Sequence, residues 1–111
     1  MKRESGFQAL DVATQAATAC VELCDNIRKP FGDAVSQLTR AALSIPLNIA
    51  EGSGRIGKAR VNHYRIAYGS ARESVKVVEI LMALNRVDQT QAETCLNLLD
   101  RVGAMCWRLT H

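Results

Sequence analysis

Aromatic residues make up only 5% of this 111-residue sequence, and it contains only two prolines. Hydrophobic residues nevertheless reach 48%, so the core must consist mainly of Ala, Leu, Val, Ile, Cys and Met, a composition that favours closely packed helices. No apolar run is long enough to cross a membrane, and the charged start lacks the apolar region of a signal peptide. We therefore expect a cytoplasmic protein with a single domain over residues 1–111 and no association with membranes.

The sequence contains four cysteines but no C-x-x-C pair. Cys20 and Cys24 share one face of a predicted helix, whereas Cys95 and Cys106 come much later. A zinc site formed by the early pair and one late cysteine is geometrically conceivable. Free cysteine is more often a small buried side chain, so buried thiols are expected, with no metal and no cofactor.

Apolar spacing predicts four helices joined by short turns. The first covers residues 7–27 and ends at a basic run that includes Pro30, and the second covers residues 32–51. The polar residues 85–89 form a corner, where Asp88 or Thr90 can cap the last helix. The four apolar stripes are Phe7, Leu10, Ala17, Val21 and Cys24; Val35, Leu38, Ala42, Ile45 and Ile49; Val61, Tyr64, Tyr68, Ala71, Val75, Val78 and Met82; and Ala92, Cys95, Leu99, Val102, Cys106 and Leu109. Without any strand-like alternation, the pattern predicts an all-α, up-down-up-down antiparallel four-helix bundle.

The stretch SIPLNIAEGSGR, residues 44–55, leads into GSGRIG, which matches the spacing G-x-G-x-x-G. A dinucleotide-binding loop needs this spacing between a strand and a helix, and here a helix precedes it. We therefore predict a corner between two helices, with Ser44 and Asn48 satisfying the backbone groups that Pro46 frees and with glycines redirecting the chain. The residues of this structural motif are Ser44, Pro46, Asn48, Glu51, Gly52 and Gly54. An alternative role is a phosphate site at the start of the third helix.

Basic residues are concentrated in the middle of the chain, where residues 28–76 hold nine Lys/Arg against three Asp/Glu. On the third helix, Lys58, Arg65 and Arg72 are spaced seven apart and Lys76 follows, so one face is basic. Such a face predicts salt-dependent binding of RNA or DNA, although a solvated face or ion pairs between subunits would give the same pattern. No aromatic residue interleaves with this row, so base stacking is not predicted. The candidate nucleic-acid-binding residues are Arg40, Arg55, Lys58, Arg60, Arg65, Arg72 and Lys76.

No pattern of nucleophile, base and partner occurs, so the protein is not expected to be an enzyme. Asn48 and Glu51 are interpreted as a structural pair bonded to backbone or to an arginine such as Arg40, and Gly69 as a point of close helix approach. Trp107 is expected in the core or at a subunit contact. Apolar residues outside the main stripes predict a homo-oligomer that buries them: Ile56, Ile66, Val77 and Ile80.

Two motifs carry a resemblance to a known family. Residues 40–55 fit R-A-A-x-S-I-P-x-N-I-A-E-G-x-G-R, and residues 66–73 fit I-A-x-G-S-x-x-E. With these motifs the sequence resembles the four-helix bundle family of 23S rRNA intervening-sequence proteins. The likeness spans roughly residues 31–81. Within it, Thr39, Val75 and the trio His63, Tyr64 and Arg65 depart from the usual pattern.

The resemblance implies a bundle that assembles into a ring, with a homopentamer as the associated form, and it implies no enzymatic activity. It also implies a relation to the accessory proteins of diversity-generating retroelements, which are similar basic bundles that bind nucleic acid and a reverse transcriptase. Expected partners are therefore other copies of this chain, RNA or DNA, and a larger nucleoprotein. The alternative is a structural oligomer or protein-binding scaffold that binds no nucleic acid.

Overall fold

The computed structural model describes residues 5–111, and side chains are described from residue 7 onward. It contains four helices, α1 (Ser5–Asp25), α2 (Gly32–Ser53), α3 (Gly57–Ala83) and α4 (Gln89–Thr110). The first helix ends two residues before the predicted boundary and the second extends two residues beyond it. Pro46 lies inside α2, which continues through it.

The helices pack in a closed cycle, α1 on α2, α2 on α3, α3 on α4, and α4 back on α1. Because short turns join consecutive helices, neighbours run antiparallel, and the predicted up-down-up-down four-helix bundle is confirmed. The molecule measures 44 × 28 × 19 Å. One cluster of buried side chains receives contributions from all four helices.

The predicted stripes of α3 and α4 are confirmed, because Tyr64, Ala71 and Val78 are buried on α3 and Cys95, Leu99 and Cys106 on α4. The stripe predicted for α1 was wrong in part. Phe7 is 58% exposed, and the buried face of α1 is on another side of the helix. That face consists mainly of small side chains, which allow close packing: Ala9, Val12, Ala13, Ala16, Ala17, Cys20, Leu23 and Cys24.

The corner between α3 and α4 is built from local hydrogen bonds. Asn85 adopts the left-handed conformation at φ 55°, and the amides of Asn85 and Arg86 donate to the carbonyls of Met82 and Leu81. This arrangement satisfies carbonyls at the end of α3. Asp88 then caps α4, as predicted, by accepting a 2.9 Å hydrogen bond from the amide of Gln91.

Candidate nucleic-acid interface

The structural motif of α2 forms a ladder of hydrogen bonds to α3. Nδ2 of Asn48 donates to the carbonyl of Ser44 at 2.9 Å and to its Oγ at 3.0 Å. Across the helix interface, Ser70 Oγ donates to Ser44 Oγ at 2.8 Å. The Nδ1 atom of His63 lies 3.0 Å from Oδ1 of Asn48. The four-residue spacing of Ser44 and Asn48 thus directs both side chains toward α3.

This ladder corrects the role predicted for Ser44 and Asn48. Pro46 leaves the carbonyl four residues before it, that of Ala42, without its helical donor. The side-chain amide of Asn48 donates to the carbonyl of Ser44 instead. The Nδ2 hydrogen bonds of Asn48 therefore stay within α2 without reaching the freed carbonyl, and the contact of its Oδ1 with His63 joins α2 to α3.

Three glycines of the α2–α3 corner have different roles. A Cβ atom on the buried Gly52 would lie 2.8 Å from Cε1 of Tyr64, so close packing of the tyrosine ring requires glycine there. Gly57 begins α3 at φ 59°, which favours glycine. Gly54 has an ordinary φ of −88°.

Gly69, in the middle of α3, is a different case. It is exposed, and a Cβ atom added to it would have no neighbouring atom within 4 Å. The close helix approach predicted at Gly69 was therefore wrong.

Two cations of the α2–α3 corner make contacts within it. Arg55 binds Glu51 through a 2.7 Å ion pair, and this guanidinium lowers the pKa of the Glu51 carboxyl. Nε of Arg60 donates to the carbonyl of Arg55 at 2.7 Å and, at 3.4 Å, to that of Gly52. Arg60 therefore satisfies one carbonyl in the last turn of α2 and one in the turn that follows it. The predicted phosphate site would need these internal contacts to be exchanged for contacts with a ligand.

Arg40 makes its hydrogen bond outside the α2–α3 corner. Its Nη2 donates to Oε1 of Gln37 at 2.7 Å. Glu51 pairs with Arg55, so the suggested bond between Arg40 and Glu51 is not the one that forms. Arg40 is exposed on α2.

The exposed face of α3 carries a cation row, which we define as Lys58, Arg65, Arg72 and Lys76. Lys76 pairs with Glu79 at 2.9 Å, and Arg72 lies over the ring of Tyr68, 5.9 Å from its centroid. Within residues 7–111, neither Lys58 nor Arg65 has a hydrogen-bond or ion-pair partner. The charges at the Lys58 end of the row therefore have no partner in the described part of the chain, whereas those at the Lys76 end already make contacts.

Arg72 and Lys76 also line a groove of about 500 Å³ between α3 and α4, here called the α3–α4 groove. Trp107 and Arg108 of α4 stand across from them. The rings of Trp107 and Tyr68 lie 5.7 Å apart at an angle of 49°. Small residues separate these side chains along the groove: Ala71, Gly103 and Ala104.

This groove contains residues that the sequence interpretation did not assign to the basic surface. Trp107 was expected in the core or at a subunit contact, and because it is 48% exposed it does not lie in the core. Arg108 was not among the predicted residues. The absence of aromatic residues within the cation row led to the prediction of no stacking, yet the packing of α4 on α3 brings Trp107 beside Tyr68 and Arg72. Antiparallel pairing of α3 with α4, which the sequence did predict, places the last turn of α4 beside the first half of α3.

A second, mostly apolar groove of about 310 Å³ lies between α1 and α2. Leu43 and Pro46 line it from α2, and Ala17 and Val21 line it from α1. On the same helix as Pro46, Leu47 is 67% exposed, and Ile56 at the corner is 83% exposed. Contiguous exposed apolar patches, rather than single side chains, are typical of surfaces that contact other molecules.

All four cysteines are buried free thiols, as expected. Burial raises the pKa of Cys106 to about 11. A hydrogen bond to Cys95, together with burial, raises the pKa of Cys20.

Among the described residues, no cluster of three or more His, Cys, Asp or Glu side chains is placed to bind a metal ion. None of the helices in this part of the chain is both long and apolar enough to span a membrane.

Four antiparallel helices define a small all-α bundle, with cationic and aromatic side chains lining the groove between α3 and α4. The chain belongs to the family of 23S rRNA-intervening sequence proteins, whose model matches residues 7–108. Among solved structures, it is similar to a protein of unknown function from the S23 ribosomal protein family of Bacteroides thetaiotaomicron VPI-5482. The two are 23% identical with a TM-score of 0.84, and the match covers 92% of this chain and 97% of the other. At this identity the likeness shows the fold alone. No curated protein matches the chain.

Proposed function

We propose that the protein is a non-enzymatic, homo-oligomeric bundle of the cytoplasm that binds RNA or DNA through the cation row of α3. The observation that supports this function is the exposed position of Lys58 and Arg65, which have no partner within residues 7–111. Cations already held by carboxylates must give up those contacts to bind a phosphate, whereas these two need not. Their spacing of seven residues places both on the same face of α3.

Binding of this kind depends on phosphate contacts. Lysine and arginine side chains release condensed counterions when they neutralise phosphates, so affinity falls steeply as salt rises. Such contacts position a nucleic acid without identifying its bases. The proposed role is therefore that of a general nucleic-acid-binding component, which can act beside a larger nucleoprotein.

The experiment measures fluorescence anisotropy of a labelled structured RNA and of duplex DNA at several salt concentrations. In a Lys58→Glu, Arg65→Glu variant, the slope of log affinity against log salt should become shallower by roughly 2, because each lost phosphate contact removes about 0.9. Arg101→Glu is the matched control, since Arg101 is exposed on α4 and does not line the α3–α4 groove. If the intact protein fails to bind at low salt, the proposal is refuted.

Homo-oligomer formation is the second part of the proposal, and the exposed apolar residues support it. The groove between α1 and α2 and the exposed Leu47 offer an apolar surface that a second copy would cover. The family resemblance implies that the assembly is a closed ring of five subunits. Light scattering at micromolar concentration gives the mass. Leu47→Glu should reduce that mass and Asn97→Glu, a change on α4, should not. A monomeric native protein would contradict this part.

A structural scaffold without nucleic-acid binding is the alternative function. The same exposed apolar residues favour it, because they support assembly without requiring any polyanion. In that case, Lys58 and Arg65 would face carboxylates of another subunit. Reversing both charges would then reduce the mass measured by light scattering, whereas the nucleic-acid proposal expects unchanged assembly.

A further inference from the structure

We propose that the α3–α4 groove binds an unpaired nucleobase, which stacks on Trp107 while its flanking phosphates contact Arg72 and Arg108. This inference rests on the proposed function and narrows its ligand to strands with unpaired bases. Trp107 is the only tryptophan in the sequence and lies in the groove next to Tyr68. Every base has a π-face, so stacking on an aromatic side chain adds affinity with little sequence preference.

The indole of Trp107 already accepts a planar ring on one face. The imidazole of His111 stacks on it with centroids 3.5 Å apart and an angle of 18° between the planes. Both side chains are exposed, so this contact is at the surface of the bundle. A nucleobase offers a larger ring system in the same position and takes the place of the imidazole.

The shape of the groove fits such a ligand. Its volume of about 500 Å³ lies within the usual range for sites that bind small molecules. Ala71, Gly103 and Ala104 have little or no side chain, so this part of the groove lining leaves room for a ligand. A base that stacks on Trp107 has to displace the imidazole of His111, which now covers that indole.

The charges of the groove fit a phosphate on either side of that base. Three cations line it, Arg72, Lys76 and Arg108, against two carboxylates, Glu79 and Asp100. Glu79 is already paired with Lys76. The Arg72 guanidinium rests over the Tyr68 ring, with its Nη1 atom 3.4 Å from the phenol oxygen, so it is held beside the stacking position.

Along α3 the cation row continues from the groove toward Arg65 and Lys58. A strand that leaves the groove in that direction therefore meets further positive charge. Base stacking in the groove and phosphate contacts along the row act on different parts of one ligand. This separation allows the two contributions to be measured independently.

The test compares a single-stranded oligothymidylate of about 12 nucleotides, within the span of known single-strand sites, with an abasic oligonucleotide of equal length. Both have the same phosphates, but only the first has bases. The oligothymidylate should quench the fluorescence of Trp107 and bind roughly 5- to 150-fold more tightly, since stacking of one base contributes about 1–3 kcal/mol. The abasic strand should bind without quenching.

Variants locate the effect. Trp107→Ala should lower the affinity for oligothymidylate to that for the abasic strand, and Trp107→Phe should restore part of the difference because it keeps a ring. Circular dichroism checks that both variants fold. His111→Ala removes the competing imidazole and should bind oligothymidylate at least as tightly as the native protein. Weaker binding by His111→Ala would contradict the exchange of rings.

The outcomes separate this inference from the proposed function. Equal, salt-dependent binding of both strands without quenching would overturn base stacking and leave nucleic-acid binding by the cation row intact. No binding of either strand at low salt would overturn both. The groove would be supported if Trp107→Ala abolished the preference for oligothymidylate and the Lys58→Glu, Arg65→Glu variant kept it. If that double variant also kept the native salt slope, the role of the cation row would be contradicted.

Discussion

Replacing Gly52 with alanine should destabilise the bundle, although alanine is the better helix former. The new Cβ would lie 2.8 Å from Cε1 and 3.0 Å from Cδ1 of Tyr64, and 3.1 Å from Cβ of His63. Carbon atoms in favourable contact are about 3.5–4.0 Å apart, so the tyrosine ring or the helix must move. Tyr64 is only 5% exposed and packs in the core, which leaves the ring little space to yield.

The size of the effect follows from two opposing contributions. Replacing a glycine in a helix interior with alanine gains about 1 kcal/mol, and Gly52 lies in the last turn of α2, so its gain is at most that. Overpacking a filled site costs about 1–3 kcal/mol. We expect the second to prevail and the free energy of unfolding to fall by about 1–2 kcal/mol, since three contacts are too short at once.

Gly69→Ala is the matched control for this prediction. It lies inside α3, is exposed, and has no atom within 4 Å of the new Cβ, so only the gain in helix preference remains. It should stabilise the protein by up to about 1 kcal/mol. The two alanine variants should therefore differ in sign.

Urea unfolding followed by circular dichroism measures both variants at one protein concentration, because assembly shifts apparent stability. Tyr64→Leu, combined with Gly52→Ala, completes a double-mutant cycle. The coupling energy should be favourable if the tyrosine ring is the obstacle. If Gly52→Ala is as stable as the native protein, the close packing of α2 on α3 at this point is refuted.

Three other changes test the bundle. Asp88→Ala should lower the free energy of unfolding by about 1 kcal/mol, because the amide that its carboxylate caps would lose its partner; Gln89→Ala is the control, and equal losses would contradict it. Asn48→Ala should cost about 1–3 kcal/mol by leaving polar groups of the α2–α3 ladder unpaired, whereas an unchanged urea midpoint would contradict that role. The Glu51 carboxyl pKa should rise in Arg55→Gln, as NMR titration can show. Because the folded-state pKa of Glu51 is lowered, its contribution to stability is present above the ordinary carboxyl pKa and is lost as pH falls through the lowered value. An unchanged Glu51 titration would contradict the ion pair.

The sequence predicted α3 and α4 better than α1 for a physical reason. On α3, large apolar residues such as Tyr64 and Val78 repeat at intervals of three and four, with charged residues between them. Only one face can then be buried. In α1, alanines occur on several faces, and their small size gives a weak signal for orientation. In the folded bundle, the face with Ala13 and Ala16 is buried and Phe7 is exposed.

The candidate site was predictable only in part. The cation row follows from positions along one helix, so the sequence contained it. The α3–α4 groove depends on which turn of α4 faces Tyr68, which is a question of register between two helices. Trp107 and Arg108 belong to a different helix from the row and are distant from it in the chain. Local spacing alone could not place them beside Arg72.

Within the second motif, Ser70 bonds to α2, whereas Tyr68 and Arg72, at positions that the motif leaves unspecified, line the α3–α4 groove. Hydrogen bonds from Ser70 to Ser44 and between His63 and Asn48 join α2 to α3. These side chains fix one side of α3, and the α3–α4 groove opens between α3 and its other neighbour. A chain can therefore keep the motif, and with it the fold, while the groove around Trp107 changes its ligand. The motif predicts how this bundle is built, and the ligand must be inferred from the groove.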